Sequence, residues 1–180
     1  MKILAFSGRA QSGKDTLAKH VIQSNPVLET YSFADPIKDA CDMLFGWDMR
    51  HREGELKEVV DPKIGVSPRY AYQTLGTEWG RNLINPNIWL MIAENNLNRI
   101  LNAGKIMVIS DLRFLNEAEW IANNGGCIVS VARPNNAGIG DAHESEKYTD
   151  QIRTEYADHV IINNGSLEDL YNSFATTGIL

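Results

Sequence analysis

Long apolar runs are missing from this chain. No stretch approaches the roughly 18–20 apolar residues that a membrane-crossing helix needs, and the opening run from Met1 to Gly8 is too short for the core of a signal peptide. A spanning helix is therefore excluded, and a cytoplasmic location is the expectation. Cysteine is scarce as well. Cys41 and Cys127 lie far apart in apolar settings, which suits two buried free thiols in a reducing compartment and excludes a disulfide framework. Positive charge is in deficit, with 17 Lys+Arg against 23 Asp+Glu and a net charge of -6. A role in coating a nucleic acid polymer or a membrane needs a basic face, so neither partner is expected. Internal repeats and low-complexity segments are absent; His51, His143 and His159 have the wrong neighbours for a metal site, and His20 sits within a helical segment.

What remains is an ordinary globular composition, 180 residues of which 43% are hydrophobic. That length fits one domain over 1–180, able to bury about 70% of its unfolded surface. Apolar runs at 2–6, 28–33, 106–109, 127–132 and 159–163 have strand length. They alternate with segments of helical spacing: one after residue 14, one capped by Asp35 with Pro36 at its first position and stopped at Gly46, one from Ser67-Pro68 to about 83, and others near 87–104, 114–124 and 167–175. Strands that are apolar without interruption suit a sheet covered on both faces. Their alternation with helices predicts an α/β fold whose mostly parallel sheet of about five strands lies between helical layers. Residues 46–67 are dense in charge and read as a surface excursion, and 133–148 read as a long irregular segment of the kind that carries function.

The first strand runs directly into Gly8-Arg9-Ala10-Gln11-Ser12-Gly13-Lys14 and then a helix. This is the G-x-x-x-x-G-K core of a phosphate-binding loop, in which backbone N–H groups and a helix N-terminus cradle phosphates while lysine neutralises them. Composition alone would produce that core somewhere in roughly 5% of such chains; its place between strand and helix is what makes it specific. Asp15 stands where a Ser or Thr hydroxyl would meet Mg²⁺, with Thr16 following. Its carboxylate suits a hard cation, or equally the first turn of a helix, where the dipole favours an acid.

Two further groups accompany the loop. Asp111 ends the apolar run from Ile106, on the sheet edge where α/β proteins collect ligands; the alternative is a cap for the next helix. Arg113 has the fork to grip phosphate oxygens, or else to pair with Glu117 one turn on. On the helix after Pro68, Arg69, Gln73, Thr77 and Arg81 step by four, opposite Ala71, Leu75, Trp79 and Leu83. The apolar series is expected to face the core. Gly76 and Gly80 cost about 1 kcal/mol each against alanine in a helix, which favours a ligand-facing polar stripe over a merely solvated one.

Six segments together resemble the deoxynucleoside monophosphate kinase family of bacteriophages, a branch of the P-loop nucleotide kinases: SGRAQSGKDTLA (7–18), ADPIKDA (34–40), SPRYAYQTLGTEWGRN (67–82), ISDLRFLNEAEWI (109–121), VARP (131–134) and DHVIINNGSLEDL (158–170). Their order and spacing carry the likeness, and G-K-D-T is usual in that family. The resemblance implies a P-loop NTPase-type three-layer fold, a monophosphate-binding region within about 34–82 and a lid near 133–148. It implies ATP held by Gly8, Ala10, Gln11, Ser12, Gly13, Lys14, Asp15 and Thr16, with Asn163, Gly165 and Ser166 bordering the adenine. The deoxynucleotide would meet Asp35, Lys38, Arg69, Gln73, Gly76, Thr77, Trp79 and Arg81. Asp15 and Asp111 would lie near Mg²⁺, and Lys14, Arg113 and Arg133 would be catalytic. The implied reaction transfers a phosphoryl group from ATP to a deoxynucleoside monophosphate, in the host cytoplasm if the gene is a phage's. Monomer and homodimer stay open, because 46–66 is compact where some members carry longer insertions. Kinases for dephospho-coenzyme A or phosphomevalonate, or a non-catalytic ATP switch, are the rival readings.

Overall fold

A computed structural model of the chain describes residues 1–134 and 148–180. In chain order the elements are β1 (Ile3–Ser7), α1 (Lys14–Ser24), β2 (Leu28–Tyr31), α2 (Asp35–Phe45), α3 (Met49–Arg52), α4 (Pro68–Gln73), a π-helix (Thr74–Ile84), α5 (Ile88–Asn102), β3 (Ile106–Leu112), α6 (Leu115–Asn123), β4 (Cys127–Ala132), α7 (Thr149–Glu155), β5 (His159–Ile162) and α8 (Leu167–Ala175). The chain forms two compact units, residues 1–32 with 96–180 and residues 33–95. The lid expected at 133–148 lies outside the described residues, apart from Arg133, Pro134 and Tyr148.

The first unit holds one five-stranded sheet in the order β2-β3-β1-β4-β5, every neighbouring pair parallel. All five residues of β1 are buried, as its central position requires. Leu4 and Phe6 pack with Leu17, Ala18 and Val21 of α1 and Leu170 and Phe174 of α8, while Ile3 and Ala5, on the other face, are equally inaccessible. Burial on both faces is why these strands are apolar without interruption. The chain leaves β1 toward β2 on one side and leaves β4 toward β5 on the other. Loops after β1 and β4 therefore meet where the winding direction reverses, the place at which such sheets bind ligands.

The second unit is helical. Its segment 46–66, read from sequence as a surface excursion, is anchored by Trp47, which is 6% exposed and donates its indole N–H to Asp61 Oδ2 at 2.7 Å. Trp47 also meets Phe45, His51 and Tyr72 ring to ring. Arg52 pairs with Asp39 and Asp42 of α2, and Tyr72 donates to Asp42. These links bind the segment to α2 and α4. Hydrogen bonding from Trp47, and after it from the Lys63 N–H, holds the Asp61 carboxyl below its ordinary range. Ser67 caps α4 by accepting from the Tyr70 N–H, and Gly46 ends α2 at a positive φ, both as the sequence signals imply.

Two local expectations are corrected. Asp35 is the first residue of α2 rather than its cap, since Ala34 holds the cap position without a side-chain bond. And the stretch after Gln73 is not α-helical. In the wider i→i+5 winding, Gly76, Thr77, Gly80 and Arg81 are the buried residues, whereas Trp79 is 44% and Leu83 76% exposed. A step-by-four pattern assumes α geometry, so the apolar series assigned to the core falls largely outside it.

The same change explains both glycines. A Cβ on Gly76 would stand 2.9 Å from Ile37 Cδ1, and one on Gly80 would stand 2.6 Å from the Trp89 ring. Trp89 in turn donates its indole N–H to the Gly76 carbonyl at 2.8 Å. The glycines therefore serve packing against α2 and α5, which accounts for them without a ligand. Gly80→Ala should cost about 2 kcal/mol through overpacking against the indole, read as a lower urea midpoint at unchanged slope.

Candidate active site

Residues 8–13 make the turn from β1 into α1. Gly8 takes φ +154 and Gly13 φ +99, while Gln11 takes φ +60, a region that costs a non-glycine residue energy and concentrates at functional sites. The Ser12 N–H bonds the Arg9 carbonyl at 3.1 Å, closing the loop. A Cβ on Gly8 would lie 2.4 Å from the Val131 carbonyl oxygen, so only glycine lets the loop pass so close to β4. No side chain caps α1 at Gly13, and its first N–H groups lack an acceptor of that kind. Such a terminus attracts an anion through its free donors and its dipole.

Lys14 brings its charge to this turn. Its side chain is 5% exposed and its ammonium meets Asp15 Oδ2 at 2.7 Å, the aspartate itself being 62% exposed. Asp15 thus has a partner that neither sequence reading named: it neutralises the loop lysine. Among the described residues, Ser7 Oγ and Ser12 Oγ are buried without a hydrogen-bond partner. Unpaired buried hydroxyls at the two ends of a loop that carries a lysine fit an oxygen-rich anionic ligand.

Asp111 belongs to β3 rather than capping α6, and its carboxylate accepts from Ser32 Oγ at 2.6 Å. The α6 terminus is satisfied instead by Glu117, 1% exposed, whose Oε2 accepts the N–H groups of Arg113 at 2.9 Å and Phe114 at 3.1 Å. Glu117 thereby fixes the backbone at Arg113, a role the sequence signalled only as helix spacing. Arg133 is exposed just past β4. Arg9 fills a variable position of the motif, which carries no sequence signal of its own; it reaches Asp150 of α7 at 2.6 Å. Asn163, Gly165 and Ser166 follow β5. Ser166 caps α8 in a box with Asp169, and a Cβ on Gly165 would meet that carboxylate at 2.5 Å. Asn163 is 8% exposed and donates Nδ2 to the Ser12 carbonyl at 2.8 Å.

In the second unit, Lys38 pairs with Glu53 and Arg69 with Glu58. Arg81, 9% exposed, donates to the Pro86 carbonyl at 3.4 Å. Gln73, the last residue of α4, is half-buried, and on the π-helix Thr77 is buried beside Gly76 while Trp79 is exposed. Both cysteines are free; Cys41 is buried and Cys127 half-buried. Burial pushes each thiol up to about 11, which leaves them as inert thiols at neutral pH.

A parallel sheet wound in this order, with a glycine loop and lysine between β1 and α1, defines a P-loop NTPase-type fold. Two solved kinases share the fold: a dephospho-CoA kinase from Campylobacter jejuni, with a TM-score of 0.54 at 16% identity, covering 98% of this chain and 94% of its own, and a shikimate kinase from Aquifex aeolicus, with a TM-score of 0.50 at 14% identity and 98% coverage of both. A family model described as deoxynucleotide monophosphate kinase matches residues 47–174. A protein of Acanthamoeba polyphaga mimivirus that bears this name provisionally is 33% identical over 96% of this chain and 93% of its own. The deoxynucleoside-5'-monophosphate kinase of Escherichia phage T5 is 43% identical over 66% of this chain and 71% of its own. The chain belongs to the deoxynucleotide monophosphate kinase family. No helix of the described residues is long and apolar enough to cross a membrane.

Proposed function

We propose that this chain transfers the γ-phosphoryl group of ATP to a deoxynucleoside 5'-monophosphate, giving ADP and the deoxynucleoside diphosphate. The observation that carries the reading is the buried Lys14 at a strained glycine loop in a chain of this family. An acceptor phosphate oxygen bonds to the γ-phosphorus as the bond from that phosphorus to the β–γ bridging oxygen breaks, and the pair of electrons leaves on ADP. The attacking oxygen is already anionic, so catalysis rests on positioning and charge neutralisation.

In this reading the backbone of 8–16 holds the ATP phosphates, and Lys14 exchanges Asp15 for their β/γ oxygens. Arg113 and Arg133 neutralise the transferring group. Arg69 receives the acceptor phosphate, and Asp35, Lys38, Gln73, Gly76, Thr77 and Arg81 surround the deoxynucleotide, with the exposed Trp79 offering an apolar ring to its base. Gly165 and Ser166 border the adenine through their backbone. The donors Asp15 and Asp111 are both carboxylate oxygens, which would fit Mg²⁺. Among the described residues no three acidic, His or Cys side chains form a metal cage, and Mg²⁺ is commonly held by one or two carboxylates together with phosphates. When bound, it supplies charge neutralisation of the phosphate oxygens. The single-domain organisation over 1–180, action in the cytoplasm, and independence of nucleic acid polymers and membranes complete the proposal.

An acceptor panel tests it. ADP release followed with each deoxynucleoside monophosphate, its ribose counterpart and dephospho-coenzyme A should depend on a deoxynucleoside monophosphate. Turnover of dephospho-coenzyme A alone, or slow hydrolysis indifferent to any acceptor, overturns the assignment.

A further inference from the structure

Asn163 is separated from Ser12 by 151 positions in sequence, yet its amide sits under the phosphate loop. The partner is a carbonyl oxygen, which can only accept, so the amide nitrogen is the atom that faces it. Both residues are almost inaccessible, Ser12 at 1% and Asn163 at 8%, and the bond between them is buried. The Asn163 backbone is fixed too, because its N–H bonds the Ala132 carbonyl at 2.7 Å and so prolongs the β4–β5 ladder.

Gly13 completes the seat. It adopts φ +99, and a Cβ there would lie 2.4 Å from Asn163 Nδ2 and 3.4 Å from Leu170 Cδ2. The second motif glycine is thus the position at which the loop rests on the asparagine and on α8. Since β4 lies between β1 and β5, this contact ties the loop to the end of a strand with which its own strand is not paired. A side chain so deeply placed, with one amide N–H engaged by the main chain, presents little accessible surface to an adenine ring.

We propose that Asn163 is a positioning residue for the phosphate loop, its amide holding the Ser12 carbonyl so that the backbone N–H groups of 8–14 converge on the nucleotide phosphates. This rests on the kinase reading above for the identity of the ligand. It replaces contact with the base as the role of this residue.

The test compares Asn163→Ala and Asn163→Leu with the unaltered chain. Leucine keeps the branch at Cγ, is uncharged and lacks a donor, but is larger; alanine leaves a cavity and leucine fills it, so an effect common to both reports the lost bond. Binding of ATP, GTP and inorganic tripolyphosphate is measured by calorimetry, and thermal unfolding is followed alongside. All three ligands should weaken by the same factor, about tenfold, as expected when a buried acceptor loses its donor. KM for ATP should rise while KM for the deoxynucleotide acceptor stays in place. Loss of ATP affinity with tripolyphosphate binding intact would return Asn163 to the base and overturn the proposal, as would unchanged binding of all three in a folded variant. If the unaltered chain binds neither ATP nor tripolyphosphate, the phosphate-loop reading fails instead.

Discussion

Lys14→Ala is expected to lower kcat by about 10²–10³-fold, the loss typical when one preorganised charge is removed from a developing transition state. The fold should survive. Lys14 is nearly buried and its carboxylate partner Asp15 lies largely in solvent, so removing the ammonium strands no buried charge; Asp15 hydrates. The exposed half of the pair also limits what the ion pair adds to stability, since such contacts are screened by water. The measurement is steady-state ADP release at saturating ATP and acceptor, paired with a thermal melt. A kcat within about threefold of wild type would remove Lys14 from the chemistry and with it the reading of the loop.

Gly8→Ala should be the most damaging single methyl in the phosphate loop. The new Cβ would stand 2.4 Å from the Val131 carbonyl and 2.6 Å from Ser12 Oγ, at φ +154. Val131 is held in β4 by pairing with Ile161 of β5, so its carbonyl cannot retreat cheaply, and the loop must move. The strain and the clash together predict a loss of about 3 kcal/mol, with ATP affinity falling beyond detection because the N–H groups no longer converge. Gly104→Ala is the control: it has a positive φ of +72 but open space around it, and should cost only about 1 kcal/mol. Urea denaturation of the two variants gives the comparison. Equal losses would mean that the close approach to β4 contributes nothing.

Some of this was legible without coordinates because it is local. The 127–132 strand and the 167–175 helix stand where the apolar runs and capping residues put them. The parallel sheet followed from strands that are apolar on both faces and separated by helices. The phosphate loop was legible because glycine spacing, strand and helix are contiguous. Cys41 and Cys127 proved free, although Cys127 is only half-buried.

Other features escaped for physical reasons. The short helices α3 and α7 have too few turns to show a period. The winding of 74–84 depends on Trp89 donating to the Gly76 carbonyl and filling the space beside Gly80, and a four-step pattern cannot register such a partner. Trp47 sits in a charge-dense stretch whose composition hid its anchoring bond to Asp61.

By itself, then, the sequence determined the fold class, the phosphate loop and the family likeness, because each is written in neighbouring residues and their spacing. Only the tertiary structure decided the strand order, the partner of Lys14, the use of Glu117 at the Arg113 backbone and the seat of Gly13 on Asn163. Each of those depends on which distant groups packing brings within a few ångströms, and local periodicity carries no record of that.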